Sequence, residues 1–483
     1  MAAAATVAAA AAVAGGVMEN FQNLVLLIGT NPLPNFVVAR YFLGARPDLR
    51  VLVAVHTDET AVQVEHLETV LREEVGRPFC IKRCRLHEAG NARQVERDLD
   101  MQVVRNILRG ESFHFNYTGG TKVMAVHAYK VLLAHAKRFP PGHASFSYLD
   151  ADDFTLKSED GHTWTGGQDW RELVEISFDQ LLKLHGCQSN TNKNENVFRL
   201  PEINWVFRDY LRQGLILEFT AWVKEVNDEY YRRRAKLQRP GQTRASEPDF
   251  YLCDFEDKNK YPFWAYAKML VCEHLPLPQR WQFDSETGLL LNLKADEKGK
   301  AEYQKGVAYL RGKWLECYVH EEINHALQAE TNAGKFEVIN NWKAIKKAAL
   351  KNNYALQTEM NTGKLEVISN GKVKKKAALK STDFELDVAI RYGYQLCGVS
   401  VTTEIDEEAR KGKAFEALHR ARQMGGDEAR AVLIATASRE EIEELTNNLE
   451  ADTGGEKDLK ILGLPELAGG TIWQEIKKHM KVV

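Results

Sequence analysis

The sequence predicts an α/β protein built from two folded parts, and three observations carry that prediction. Apolar strands and amphipathic helices alternate from Asn23 to Asp153. A helix followed by two apolar strands recurs between Gly312 and Thr403. At 483 residues the chain is also longer than one ordinary domain. Its content of 44% hydrophobic and 27% charged residues is that of a water-soluble chain with ample core.

The elements follow in order. Residues 1–18, headed by MAAAATVAAAAAVAGG, have no charged n-region and no Arg-rich face, so they read as a disordered low-complexity leader and not as a signal peptide. Leu24–Ile28 is a continuous apolar run, as a strand covered on both faces requires. A Gly/Pro turn leads to a helix over Asn35–Leu43. Arg50–His56 is a second strand, and Thr60–Val75 is predicted helical from its i, i+3, i+4 apolar spacing. Ala92–Leu108 is a helix, Phe113–Tyr117 a strand, Lys122–Ala136 a helix and Ala144–Asp150 a strand. Repeated strand–helix units predict a parallel sheet with helices on both faces, a Rossmann-like arrangement. Ligands of such sheets sit beyond the carboxyl ends of the strands.

Two polar loops stand at that end. Gly29-Thr30-Asn31-Pro32-Leu33-Pro34-Asn35 follows the first strand, and Thr118-Gly119-Gly120-Thr121-Lys122 joins a later strand to its helix. Glycine lets a backbone approach a ligand closely, and free helix N–H groups favour an anion. The threonine hydroxyls add donors and Lys122 adds a positive charge. Spacing alone leaves a second reading open, in which Gly119-Gly120 only makes a tight turn. Neither loop is a GxxxxGK[ST] or GxGxxG pattern, so a nucleoside triphosphate or a nicotinamide dinucleotide is not indicated.

GTNPLPN after the first strand, with NYTGGTKVMA later, resembles the CRISPR-associated Rossmann fold (CARF) domain, in the branch fused to a PD-(D/E)xK nuclease. The resemblance covers about Asn23–Leu184, within a sensor domain placed at residues 19–190. It implies a homodimer that binds a cyclic oligonucleotide, of the oligoadenylate class, across the dimer axis. Residue by residue, it assigns Gly29, Thr30, Asn31, Asn35, Thr118, Gly119, Gly120, Thr121 and Lys122 to the ligand.

Residues 191–300 read as a helical connector. Pro201–Trp222 is predicted helical from Trp205, Phe207, Tyr210, Leu211, Leu215 and Leu217, while Arg232-Arg233-Arg234 reads as a solvated face. An internal repeat follows. ALQAETNAGKFEVINNWKAIKKAAL at 326–350 recurs as ALQTEMNTGKLEVISNGKVKKKAAL at 355–379. Each unit carries a short strand, Phe336–Ile339 or Leu365–Ile368, and then a basic segment. Two copies are too few for a solenoid, so the repeat reads as a duplicated surface hairpin within residues 326–379.

Residues 301–483 carry the second resemblance, to a PD-(D/E)xK nuclease of restriction-endonuclease-like α/β fold. Gly312–Ile323 reads as a helix with Glu316 near its start, and Phe384–Ile390 and Leu396–Thr403 read as strands. The resemblance implies that Glu316 and Asp387 hold Mg²⁺ or Mn²⁺ for phosphodiester hydrolysis of DNA or RNA. Where the family has Glu-x-Lys on the next strand, this chain has Ser400 and Thr402. The expectation is therefore a fold that survives around a depleted catalytic set of Glu316, Asp387, Ser400 and Thr402, with weak or absent cleavage. Glu404 and Asp406, just beyond the strand, are candidate compensating acids. His320, Glu321 and His325 do not form an HExxH motif, and they, with His127 and His135, read as structural or solvent-facing.

Three functions stay open at this point: a ligand-gated nuclease, a binding module with an inactive nuclease-like domain, and a sensor that slowly cleaves its own ligand. The formal net charge of −3 gives no global basic field. The seven cysteines form no CxxC pair, which points to a reduced, intracellular, cytoplasmic setting without a zinc site. No window reaches the ~20 apolar residues of a membrane span.

Overall fold

The computed structural model describes residues 21–159, 161, 163–189, 204–221, 223–224, 281–284, 289–292, 309–330, 333–346 and 382–482. The readings made for the leader, for Arg232–Arg234 and for the second repeat copy lie outside these residues.

The N-terminal sheet runs β3-β2-β1-β4-β5-β6. Its centre, β1 (Asn23–Leu27), is buried at every position between parallel neighbours β2 (Val51–His56) and β4 (Phe113–Asn116). The pleat divides this strand between two cores. Leu24 and Leu26 face one core, with Phe36, Phe42 and Leu67. Val25 and Leu27 face the other, with Val103, Met124 and Leu132. The first core lies under α1 (Leu33–Ala45) and α2 (Ala61–Glu74). The second lies under α3 (Ala92–Asp98), whose course continues in wider π-type turns over Leu99–Leu108, and under α4 (Lys122–Ala136).

Two strands were not legible in the sequence. Edge strand β3 (Cys80–Arg85) is mostly exposed, so CIKRCR carries no apolar run. β5 (Ala144–Leu149) pairs in parallel with β4, and the three-residue β6 (Leu156–Ser158) closes the other edge antiparallel to β5.

The second sheet runs β14-β13-β12-β11-β10-β7. After α5 (Phe178–Leu184), β7 (Cys187–Ser189) already belongs to it. Then come α6 (Asn204–Gln213), a separate antiparallel pair β8 (Trp281–Asp284) and β9 (Leu289–Asn292), and α7 (Trp314–Gln328). β10 (Phe336–Lys346), β11 (Thr382–Tyr392) and β12 (Gln395–Thr402) form an antiparallel meander. α8 (Glu407–Gly425) crosses to β13 (Arg430–Ala435), which is parallel to β12. α9 (Arg439–Thr453), β14 (Leu459–Leu462), α10 (Leu464–Gly469) and α11 (Ile472–His479) complete the chain.

The first repeat copy is not a surface hairpin. Its strand extends from Phe336 to Lys346, lies between β7 and β11, and pairs from Phe336↔Tyr392 to Lys346↔Thr382. Phe336, Val338, Trp342 and Ala344 are apolar at alternate positions that Asn340 interrupts.

The two halves share packing. Leu181 and Leu182 of α5 lie in one core with Leu386, Leu396, Ala417 and Ala421 of the second domain. On the far face of the second sheet, Phe207 of α6 stacks on Trp314 of α7 with ring centroids 4.4 Å apart.

Candidate functional site

The two polar loops meet at the carboxyl ends of β1 and β4. Asn35, in the first turns of α1, is fully buried and donates Nδ2–H to the Leu27 carbonyl at 2.9 Å. A Cβ on Gly119 would stand 2.1 Å from that same carbonyl and 3.1 Å from Asn35 Oδ1. A Cβ on Gly29 would stand 3.1 Å from the Gly120 nitrogen. Glycine is required at 119 because the backbones touch, and Gly120 adopts a positive φ of 77°.

The threonines are already committed to the fold. Thr118 Oγ1 accepts the Leu149 N–H at 2.7 Å, and Thr121 caps α4 by accepting the Met124 N–H at 3.3 Å. Thr30, Thr121 and Lys122 are exposed. They form the reachable rim of the junction, whereas Asn35, Thr118 and the glycines shape it.

Asn31 faces elsewhere. Its Oδ1 accepts the Leu33 N–H at 3.2 Å, and its Nδ2 donates to Glu428 Oε2 at 2.7 Å. Glu428 follows α8 in the second domain. Burial pushes its carboxyl up to about 7, and the Asn31 hydrogen bond acts against that rise. Gly426, with φ of +75°, lies so close that a Cβ there would be 2.5 Å from Asn31 Oδ1. A second link joins the halves nearby: Arg171 is gripped by Asp169 and donates Nη1–H to Gln395 Oε1 at 2.7 Å. Gln395 in turn donates to the Glu428 carbonyl at 3.2 Å.

A candidate acidic centre forms where β11 leaves β12. Their ladder runs from Tyr392↔Gln395 to Val388↔Val399. Just beyond it, Asp387 Oδ2 accepts the Val401 N–H at 2.8 Å and the Ser400 hydroxyl at 3.0 Å. The alternation of β11 also slips at this point. Val388, Ile390 and Tyr392 lie in the core under α7, while Leu386 and Ala389 lie in the core under α8. Two consecutive residues, Asp387 and Val388, thereby turn toward α7, as at a bulge.

Glu316, in the first turn of α7, faces this carboxylate. Burial and the Asp387 charge push its carboxyl up to about 7, opposed by Lys313. Lys313 Nζ donates to Glu316 Oε2 at 2.7 Å. Burial acts to lower the Lys313 pKa, but Glu316, Asp387 and Glu385 together raise it above the usual lysine value.

Among the described residues, no group of three or more His, Cys, Asp or Glu is arranged to hold a metal ion. Glu316 and Asp387 interact electrostatically, and two carboxylates hold Mg²⁺ or Mn²⁺ only weakly unless substrate phosphate and water complete the shell.

The other expected residues have structural partners. Thr402 is buried and accepts the Glu404 N–H at 3.2 Å. Asp406 caps α8 by accepting the Ala409 N–H at 2.9 Å. His127 bonds Glu96 at 2.7 Å, and His320 meets Asn324 at 3.0 Å. Sequence reasoning did not single out Lys313, Glu385 or Glu428. Lys313 had a signal, three residues before Glu316 on a helix start; Glu385 had one too, two positions from Asp387 on a strand. Nothing local marks Glu428.

No protein-family model and no curated protein matches the chain. Solved structures do. Protein VC1899 from Vibrio cholerae matches at a TM-score of 0.59 and 15% identity, over 95% of this chain and 98% of that one. Can2 from Sulfobacillus thermosulfidooxidans, solved in complex with cyclic tetra-adenylate, matches at a TM-score of 0.54 and 14% identity, over 93% and 98%. The chain has their two-domain fold. The expected fold class, a Rossmann-like parallel-sheet domain followed by a second α/β sheet domain, is the architecture observed. A type III CRISPR defence DNA nuclease activated by cyclic oligoadenylate also matches at 16% identity, over 88% of this chain and 48% of that one, but its TM-score of 0.41 carries no argument. No described helix is long and apolar enough to cross a membrane.

Proposed function

We propose that this chain is a cyclic-oligonucleotide sensor whose second domain is a metal-dependent endonuclease, acting in cytoplasmic antiviral defence. The observation that carries the reading is the carboxylate pair Glu316–Asp387 at the splayed end of β11, with a lysine bonded into it. The fold shared with Can2, which was solved with cyclic tetra-adenylate, supports an oligoadenylate as the ligand.

In this reading, Thr30, Thr121 and Lys122 meet the ligand at the rim, and the start of α4 offers N–H groups to its phosphates. A homodimer places two such rims around one ring-shaped ligand. Glu316 and Asp387 are the residues that hold Mg²⁺ or Mn²⁺. When bound, such an ion stabilises charge on the phosphoryl oxygens. Ser400 and the Val401 N–H keep one Asp387 oxygen fixed and leave the other free to ligate.

A second reading has its own observation. Ser400 and Thr402 stand where an acid and a lysine are expected, and no third acid joins the pair among the described residues. This favours a binding module that captures the ligand without cleaving nucleic acid. Incubating the purified chain with DNA or RNA and Mn²⁺, with and without cyclic tetra-adenylate, separates the two. Cleavage that needs both ion and ligand supports the nuclease; ligand binding without cleavage supports the module.

A further inference from the structure

We propose that Lys313, at the start of α7, is the cation that meets the scissile phosphate, in place of a lysine on β12. The proposal rests on the nuclease reading above and adds a residue that the strand motif does not contain.

Three features of position carry it. First, Lys313 Nζ lies 2.7 Å from Glu316 Oε2, so its ammonium is held inside the candidate centre. Its side chain keeps 39% of its exposure, so a substrate can reach it. Second, the start of α7 abuts the end of β12. A Cβ on Gly312 would stand 3.6 Å from Thr403 Oγ1. The helix therefore brings its lysine to the end of β12 on the face shared by Val399 and Val401, across the strand from Thr402. Third, the chain kinks at Gly312, inside the π-type turn that ends at Lys313 and runs into α7, so Lys313 stands at a break in the helical course.

The chemistry follows from the arrangement. In hydrolysis the oxygen of water bonds to phosphorus, one ester P–O bond breaks, and the water proton ends on the leaving oxygen by way of solvent. Lys313 keeps its own proton throughout. It donates a hydrogen bond to a non-bridging phosphate oxygen as negative charge grows there, exchanging its bond to Glu316 for one to the substrate. Preorganised donors of this kind act most strongly in a partly dry site.

The test uses the full chain and the variants Lys313→Met and Lys313→Arg, each measured for Mn²⁺-dependent cleavage and, by calorimetry, for Mn²⁺ binding. Cyclic tetra-adenylate affinity serves as the check on folding. The expected result is cleavage slowed about a hundredfold or more by Lys313→Met and within roughly tenfold of wild type for Lys313→Arg. Mn²⁺ should bind Lys313→Met several-fold more tightly, by about fivefold, because Glu316 is freed and a repelling charge is gone. Wild-type cleavage by Lys313→Met overturns the proposal. So does loss of Mn²⁺ binding and cleavage together, which marks a merely structural lysine. If the wild type cleaves nothing, the nuclease reading fails separately. The isotherm alone then decides, and unchanged Mn²⁺ affinity in Lys313→Met overturns the assignment.

Discussion

Asn31 Nδ2 donates to Glu428 Oε2 at 2.7 Å and so bonds the loop after β1 to the turn that follows α8. That helix also reaches the strand that carries Asp387. Arg420 donates to the Glu385 carbonyl at 2.6 Å, and Leu386 packs against Gly398 and Ala421. The helix and the turn after it thus touch the loop at one end and the strand bearing Asp387 along the side.

The buried Glu428 gives this contact a pH dependence. Its carboxyl is raised from an ordinary 4.5 to about 7, so the folded chain holds a proton that the unfolded chain releases. Its contribution to stability is intact below the unfolded value and is lost as pH rises from about 4.5 through about 7. Glu428→Gln keeps an acceptor for Asn31 and removes the titration. Urea unfolding between about pH 5 and pH 8 should show a flatter profile in the variant, which gains on the order of 3 kcal/mol relative to wild type at the alkaline end. A profile identical to wild type would show that Glu428 titrates normally.

Lys122 is exposed at the start of α4 and is free to meet an anionic ligand with little structural penalty. Lys122→Ala should weaken cyclic tetra-adenylate by roughly tenfold to a hundredfold, the loss of one charge-assisted hydrogen bond. Thermal unfolding should not move. Unchanged affinity by calorimetry would remove this loop from the ligand site.

Thr121 separates cap from contact. Thr121→Val deletes the acceptor for the Met124 N–H and should cost about 1 kcal/mol of stability, whereas Thr121→Ser should retain both stability and binding. Chemical denaturation of the two variants checks this directly.

Gly119→Ala forces a methyl group to within 2.1 Å of the Leu27 carbonyl. The loops must part, at a cost of about 1–3 kcal/mol. Ligand affinity should fall with stability, unlike in Lys122→Ala.

Asp387→Ala should abolish metal-dependent cleavage, because it removes one of two paired acids. The double change Ser400→Glu with Thr402→Lys should raise cleavage above wild type by adding a carboxylate beside Asp387, whose Oδ2 now takes the Ser400 hydroxyl. Robust cleavage that survives Asp387→Ala would place the catalytic acids elsewhere.

Much of the fold was legible because burial writes periodic patterns. β1 is apolar at every position since it is central, and α4 was bounded correctly by Thr121 and its apolar spacing. β3 was illegible because an exposed edge strand needs no apolar run, and β10 was shortened because Asn340-Asn341 interrupts its alternation directly after Ile339. In the candidate site, the resemblance pointed to Glu316 at a helix start and Asp387 on a strand, and the fold brings these two carboxylates within electrostatic reach of each other. The Asn31–Glu428 bond was not, since it spans 397 positions and depends on how two domains pack. Lys313 was hidden for a related reason: a strand motif directs attention to Thr402, whereas the folded chain brings a helix start to the same end of β12.

The most direct test is a single cleavage assay of the full chain on DNA and RNA with Mn²⁺, titrated with cyclic tetra-adenylate. The account predicts phosphodiester cleavage that requires the ion, rises with ligand and disappears in Asp387→Ala. Cleavage indifferent to the ligand, or no cleavage at saturating ligand and ion, would contradict it.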